Sequence, residues 1–458
     1  MSILVMVGAL IQGSHAAGYY AGSPGIRPLG RGGAAFVGSD DLAALSYNPA
    51  ALIRIDTMVH LQLAAINQAV TFDRTGDEES TQPVHNEAAP LPIPHIGVAT
   101  SFGREDLTIA LGLKTPYAPF LEFQDGGPQR YTLVDSEIIN LTAGPSVAWQ
   151  PTPGLSFGAS VGWSMLSMDQ TLDAHISPAA FAPDEDANFD VHTRIQVTDP
   201  FKIAWNIGVL YEPTEGRWAT GLSYTPAVHF IANGSMDNDF SDNHYYTGAG
   251  NSPPLIGVNS ATDPDVTLAL SMPAVIGGGV MFNPTPTTNI EVNLVWEGWQ
   301  ALETVILQSV DLAIPSASED GDDLLVSDDV VLPLSLQDSW AVRIGATLAA
   351  SEAIDVRAGV FGETSAASTG YRSVLIPDGE KVGYGTGFTY KPTASIAVDF
   401  AFSQSFVPQQ DLTGSQVYQL GIEPLMGTVE PGVFVGNGSF SVTNTIAGIG
   451  INWTPGTQ

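Results

Sequence analysis

With 15 basic and 48 acidic side chains, the 458-residue chain carries a net charge of −33, which repels nucleic-acid phosphates and excludes nucleic acid as a partner. It has no cysteine, so disulfides and thiolate metal sites are excluded as well. Its 48 glycines and 32 prolines, with 44% hydrophobic but only 14% charged residues, favour strands and turns and one large architecture over several small helical domains.

In chain order, Ile3–Ile11 forms a short apolar core and Ser14-His15-Ala16 a small-x-small pattern. This predicts a leader over residues 1–16, although no Lys or Arg precedes the apolar core. Residues 17–55 read as a compact plug. Small residues from Gly30 to Gly38 allow close backbone approach, Ser39-Asp40-Asp41 supplies N-cap chemistry for a helical turn over Leu42–Ser46, and Pro49 is expected to stop that turn.

From Met58 onward, apolar residues alternate with small or polar ones over lengths that cross a bilayer as tilted strands. In Leu155–Met165 the odd positions are apolar and the even ones are Ser or Gly; Phe201–Tyr211 repeats the pattern. Candidate strands are 58–72, 95–102, 107–114, 138–149, 155–166, 201–211, 217–231, 266–282, 289–307, 340–350, 354–362, 381–391, 395–402 and 441–453. No apolar run reaches the ~20 residues of a transmembrane helix.

The connections alternate between short and long. Trp149-Gln-Pro-Thr, Tyr211-Glu-Pro-Thr, Phe282-Asn-Pro-Thr and Tyr390-Lys-Pro-Thr place an aromatic residue at a strand end and then a proline expected to end the ladder; Trp453-Thr-Pro is similar. Long polar connections are expected over 167–200, 232–264, 308–338 and 403–440. The fold class is therefore all-β: a transmembrane antiparallel up-and-down β-barrel of about fourteen strands over 56–458, with an N-terminal, partly helical segment in the lumen.

Acidic runs at 73–87, 184–190, 237–242 and 319–329 read as solvated loops or, alternatively, as loops that hold divalent cations. Asp237-Asn-Asp239 and Asp320-Gly-Asp322-Asp323 lack the spacing of a calcium loop, and no metal or other cofactor is expected. Gly158-Ala-Ser160-Val-Gly162 matches a nucleophile pattern but lies inside an alternating strand, where a strand-to-helix elbow is required.

Several stretches together resemble the outer-membrane long-chain fatty acid and hydrocarbon transporters (FadL/TodX-like). They are Gly30-Arg31-Gly32, Asp40-Asp41, Asn48-Pro49-Ala50, Glu122-Phe123-Gln124-Asp125, Leu268–Pro273, Trp296–Trp299, and Arg372 with Ile376-Pro377-Asp378. The resemblance implies a fourteen-stranded barrel in the bacterial outer membrane, blocked by a hatch that contains Gly30, Arg31, Asp40, Asp41, Asn48, Pro49 and Ala50. It also implies that Asn48, Pro49 and Ala50 move when ligand binds, and that ligand leaves sideways through a break in the third strand. Here the break falls at Pro116-Tyr117-Ala118-Pro119-Phe120; two prolines in one strand remove ladder donors, although they would equally end a strand where a loop begins.

The expected partner is a hydrophobic small molecule, a long-chain fatty acid or a neutral hydrocarbon. Outer-membrane lipid and lipopolysaccharide would surround the chain, which is expected to act as a monomer. Lys202, Arg343 and Arg357 have inward parity and either hold a carboxylate or pair with Asp355, Asp399, Glu291 or Glu297. Leu155–Ile176 contains no Lys or Arg, a departure from fatty-acid binders, and the chain runs on past Trp453 instead of ending on an aromatic residue. Phe181, Phe189, Phe230, Phe240, Tyr245, Tyr246, Leu255 and Ile256 are expected to capture ligand at the surface. The rival readings are a lipid-modifying enzyme built on His175, His192 or His229, and a structural or adhesive barrel with a continuous wall.

Overall fold

The computed structural model describes residues 24–75, 82–176, 185–214, 216–241, 243, 265–309, 312–314, 324–326, 330–423 and 428–455. Fourteen antiparallel wall strands follow one another, each bonded to the next. They are β1 (Thr57–Arg74), β2 (Leu91–Thr100), β3 (Leu107–Tyr117), β4 (Asp135–Thr152), β5 (Leu155–Ile176), β6 (Asp190–Tyr211) and β7 (Trp218–Thr225, then Val228–Asp239). The second half is β8 (Asp265–Met272, then Val275–Thr285), β9 (Thr288–Glu297, then Thr304–Ser309), β10 (Ser339–Ala349), β11 (Ile354–Glu363), β12 (Lys381–Thr393), β13 (Ile396–Leu412) and β14 (Gly438–Trp453). Pairing of β1 with β14, from Val59 opposite Trp453 to Arg74 opposite Gly438, closes the barrel.

The outward side chains of the lower wall are apolar. Leu61, Leu63, Ile109, Leu111, Phe157, Ile203, Leu222, Val280, Leu294, Val360 and Ile451 are all exposed, a belt that only a bilayer accommodates. The turn-proximal aromatics form a girdle at its lower rim, with Trp149 50% and Trp453 49% exposed. Pro151, Pro284 and Pro392 do not end their ladders as expected. Each sits in a bulge between the aromatic residue and the threonine, and Thr152, Thr285 and Thr393 form the last pairs before the turn.

Above the belt the wall continues. Within the connection expected over 167–200, residues 167–176 and 190–200 are strand: β5 and β6 pair continuously past the membrane, from Ser167 opposite Thr198 to His175 opposite Asp190. A bulge at Pro200–Phe201 marks the transition, because Asp199 and Lys202 both fall on the inward face of β6. Below it the odd residues Phe201, Ile203 and Ile207 are exposed; above it the odd residues Val191, Ile195 and Val197 are buried. Water replaces lipid outside, so the apolar face turns inward.

These upper side chains build one large apolar cluster with Leu166, Met168, Phe230, Met236, Phe240, Leu268, Met272, Trp299, Leu307 and Ile376. Phe230 and Phe240, expected to capture ligand at the surface, are therefore buried core residues, and Phe189 packs against the same cluster. Phe181, Tyr245, Tyr246, Leu255 and Ile256, like the leader at 1–16, lie outside the described residues.

Three neighbouring strands break at one height. Pro226-Ala227 of β7 faces Pro273-Ala274 of β8, since Thr225 pairs with Val275 and Val228 with Met272. β9 departs beside them into a 3₁₀ turn, Trp299–Leu302, with the Gly298 N–H donated to the Ala274 carbonyl at 2.8 Å. A proline cannot donate to a ladder, and neighbouring breaks share the cost of the lost bonds.

Candidate functional site

The segment 24–55 fills the lower lumen with three short pieces: α1 (Ile26–Gly30), α2 (Ala44–Tyr47) and a 3₁₀ helix, Pro49–Arg54. The expected turn at Leu42–Ser46 is thus shifted to Ala44–Tyr47, and Asp41 opens it by accepting from the Ala43 N–H at 3.0 Å. Pro49 does not stop the segment. It occupies the first position of the 3₁₀ helix, where no backbone donor is needed, and Asn48 caps that helix by accepting from the Ala50 N–H at 3.0 Å. The Asn48 amide nitrogen donates to the carbonyls of Phe36 and Val209, both at 3.0 Å, tying the segment to β6.

Wall glycines and alanines make room for these pieces. A Cβ on Gly158 would lie 2.1 Å from the Ala50 nitrogen, and one on Gly359 would lie 2.0 Å from the Arg31 carbonyl oxygen. Leu42, Leu45 and Leu52 pack on inward Ala99, Ala110, Ala148 and Ala219.

Charge completes the attachment. Arg27 donates to both oxygens of Asp399 at 3.1 and 3.0 Å and meets Asp40 at 3.1 Å. Arg31 meets Glu291 at 2.7 Å; the other Glu291 oxygen accepts from the Val37 N–H at 2.8 Å, and Asn293 accepts from the Ala35 N–H at 2.9 Å. Both acceptors are further satisfied, Asp399 by Thr389 and Asn452 and Glu291 by the Val37 and Gly38 N–H groups, the condition under which a buried ion pair recovers its desolvation cost.

The three inward cations of the sequence reading separate. Arg357 lies within this cement, donating to Thr389 at 2.6 Å beside Asp355 and Asp399. Lys202 pairs with Asp199 at 2.9 Å at the bulge. Only Arg343, held by Glu363 at 2.6 Å, lines the main lumen cavity, which has a volume of about 140 Å³. Lys114, which the sequence reading passed over as the end of a strand, also lines it and donates to the Leu45 carbonyl at 2.9 Å.

On one flank of this cavity the β2–β3 ladder stops. β2 pairs with β3 only from Ile96 opposite Leu113 to Thr100 opposite Ile109, while Leu91–His95 pair with β1 alone. On β3 the register with β4 slips between Lys114 and Tyr117, pairing resumes at Tyr117 opposite Asn140, and a short strand, Phe120–Glu122, continues it from Phe120 opposite Glu137. Asn86 and Glu87 bridge to Phe120 and Glu122 above, so the interruption is bounded on every side. Pro92 and Pro94 on β2, Pro116 on β3 and Pro119 just beyond its end flank it, residues that have no N–H to leave unsatisfied. Tyr117 and Ala118 are buried, and Pro116 and Tyr117 line the cavity. Trp299, on the turn that leaves β9, crosses to Tyr117 edge-to-face at 5.8 Å and donates to Glu297 at 2.7 Å.

The protein family described as outer membrane protein transport protein (OMPP1/FadL/TodX) matches residues 8–439. The chain belongs to this family. The barrel therefore stands in a bacterial outer membrane, and the family's role is transport, not catalysis. A 47 kDa outer membrane protein of Pasteurella multocida (strain Pm70) is 22% identical over 207 residues, 45% of this chain and 44% of that relative. A Pseudomonas aeruginosa FadL homologue shares the fold with TM-score 0.76 at 16% identity over 95% of this chain and 99% of its own. The Pseudomonas putida toluene transporter TodX does so with TM-score 0.66, also at 16% identity, over 95% and 99%.

The residues of the rival readings are dispersed. His175 meets Asp190 at 3.2 Å, His192 meets Asp173 at 2.9 Å and His229 meets Ser271 at 2.7 Å, so carboxylate and hydroxyl go to different histidines. Ser160 accepts from Ser146 at 2.6 Å within the β4–β5 wall. No group of three or more metal-ligating side chains occurs among the described residues. In the outer connection, burial and the facing Asp190 carboxylate push the Tyr131 phenol well above its ordinary value, which keeps it a donor to Asp190 at 2.9 Å.

Proposed function

We propose that the protein admits hydrophobic small molecules, long-chain fatty acids or other apolar compounds, to the apolar upper chamber and passes them down past Trp299. They then leave sideways into the outer membrane between β2 and β3. The single observation that carries this reading is the bounded interruption of the β2–β3 ladder beside a lumen cavity, with Pro116 and Tyr117 common to both. The lower lumen supports a lateral exit over a vertical one: residues 17–55 act as the hatch, cemented to the wall through Arg27, Arg31 and Asn48. Transfer of apolar groups is favourable at roughly 0.8 kcal/mol per methylene buried, so diffusion down a gradient needs no coupled energy source. Outer-membrane lipid and lipopolysaccharide surround the outward belt, and the closed barrel works as a monomer.

The test uses the absence of native cysteine. Ile93 and Thr115 line the same small cleft across the interruption, and the double variant Ile93→Cys/Thr115→Cys joins its edges on oxidation. Uptake of labelled oleate and of labelled toluene into proteoliposomes is expected to fall at least tenfold when oxidised and to return on reduction. Equal uptake in both states removes the lateral route. A second variant, Pro116→Thr/Pro119→Val, is expected to lower uptake at equal barrel assembly by restoring regular strand.

A further inference from the structure

The wall of the lumen cavity on β4, β5 and β6 is polar, and its polar groups satisfy one another with one exception. Asn140 donates to Ser164 at 3.0 Å, Thr142 and Ser164 are 3.0 Å apart, and Ser146 donates to Ser160 at 2.6 Å. Asn206, in the same wall and 1% exposed, has neither its amide nitrogen nor its amide oxygen paired among the described residues. A buried carboxamide with both groups unpaired is costly to the fold, so an inward position in the middle of β6 would be better filled by another small residue such as the flanking Ala204 and Gly208.

The cavity also has the wrong size and lining for a whole acyl chain. Its volume of about 140 Å³ is close to that of an engineered apolar cavity of ~150 Å³ that admits one benzene. Phe36, Tyr117, Phe230 and Met272 supply apolar surface; of the polar lining, Arg343 is held by Glu363 and Glu297 accepts from Trp299, while Lys114 and Asn206 have bonding capacity to spare. The Lys114 ammonium spends one hydrogen on the Leu45 carbonyl and keeps donors for an incoming oxygen. The Asn206 oxygen, in contrast, needs a donor, which a hydrocarbon, an ester or a ketone does not supply.

We infer that the cavity binds a compact amphiphile of about single-ring size bearing a hydroxyl, a phenol or small alcohol, with Asn206 reading that group as both donor and acceptor. The inference rests on the lumen being the ligand path, but not on where the ligand leaves it. In binding, Asn206 gains both missing partners and the ring displaces no paired group. Selectivity for the hydroxylated compound over its parent hydrocarbon then follows, because the hydrocarbon leaves the carboxamide unpaired.

The experiment is equilibrium dialysis of the full chain in detergent against labelled 4-ethylphenol and labelled ethylbenzene, each corrected for partition into empty micelles. The intact protein is expected to hold 4-ethylphenol about tenfold more tightly, the ratio that two neutral hydrogen bonds of ordinary strength supply. Asn206→Leu is expected to abolish that preference while holding ethylbenzene at least as well, a crossed change that a folding defect cannot produce. Asn206→Ala serves the same comparison if the leucine variant does not assemble. No preference in the intact protein, or an unchanged preference in the variants, overturns the proposal. Because binding in detergent involves no bilayer exit, equal uptake by the oxidised and reduced cysteine variant, with this binding preference intact, counts against the lateral route alone.

Discussion

The lower and upper halves of the lumen are built on opposite principles. In the lower half, charged and amide side chains of the wall join a buried chain segment, through Arg27 with Asp399, Arg31 with Glu291, and Asn48 with the β6 backbone. In the upper half the inward cluster is aliphatic, aromatic and Met, with a few buried polar residues such as Thr193 and Gln170 beside it, and the other polar side chains face water outside. The difference teaches where ligand chemistry can be sought. Inward cations in the lower half are already neutralised, so their presence does not signal a carboxylate ligand; the informative polar groups are those left over where the two halves meet, at Lys114 and Asn206.

The comparison breaks most severely if the cement is cut. Asp399→Ala leaves Arg27 and Arg357 buried beside a lost carboxylate, and a destabilisation of about 3–5 kcal/mol is expected. Urea unfolding in lipid vesicles followed by tryptophan emission measures it, and planar-bilayer conductance should rise as the lumen segment loosens. A loss below about 1 kcal/mol would mean that the close packing on Gly158 and Gly359 alone holds the segment.

The upper half is expected to tolerate change better. Leu268→Ala enlarges an apolar chamber that already has space for ligand, so the cost should lie at the low end of core truncations, about 2 kcal/mol, with conductance unchanged. Smallest of all is Arg104→Ala in the β2–β3 turn, whose pair with Asp106 at 2.8 Å is solvent-exposed; no measurable change in the unfolding midpoint is expected. A larger effect there would show that the short turns contribute to the comparison as well as the lumen.

Much of the wall was legible because a bilayer imposes a strict period of two. Phe157, Trp163, Ile203 and Ile207 face outward as their alternation required, and Lys202, Arg343 and Arg357 face inward. The phase reversal above the belt was not legible. The apolar residues of β6 remain at odd positions throughout, and only the bulge at Pro200–Phe201 turns Val191, Ile195 and Val197 inward. Pairing past the membrane was hidden for the same reason, since His192, Arg194, Gln196 and Thr198 make the face of β6 that meets water polar.

Of the candidate site, the proline-interrupted third strand was visible as Pro116 and Pro119, and Asn48-Pro49-Ala50 stood out beside the glycine-rich opening. The signal that could have found Asn206 is its isolation as a carboxamide between Ala204 and Gly208 on an inward face. Trp299 entered the sequence reading only within the Trp296–Trp299 stretch of the resemblance; its contact with Tyr117 was not legible, because it joins strands far apart in the chain.

By itself the sequence determined the all-β class, the outward belt, the aromatic girdle, the short turns and the presence of a small-residue segment before the first strand. Each follows from local pattern and from the demand that a chain in lipid satisfy its own backbone. Only the tertiary structure decided which inward charges are neutralised, where the apolar face turns inward, and that three strand breaks lie at one height. It also left Asn206 without a partner among the described residues. These depend on register and on contacts between residues hundreds of positions apart, which fourteen strands acquire only when the ring closes.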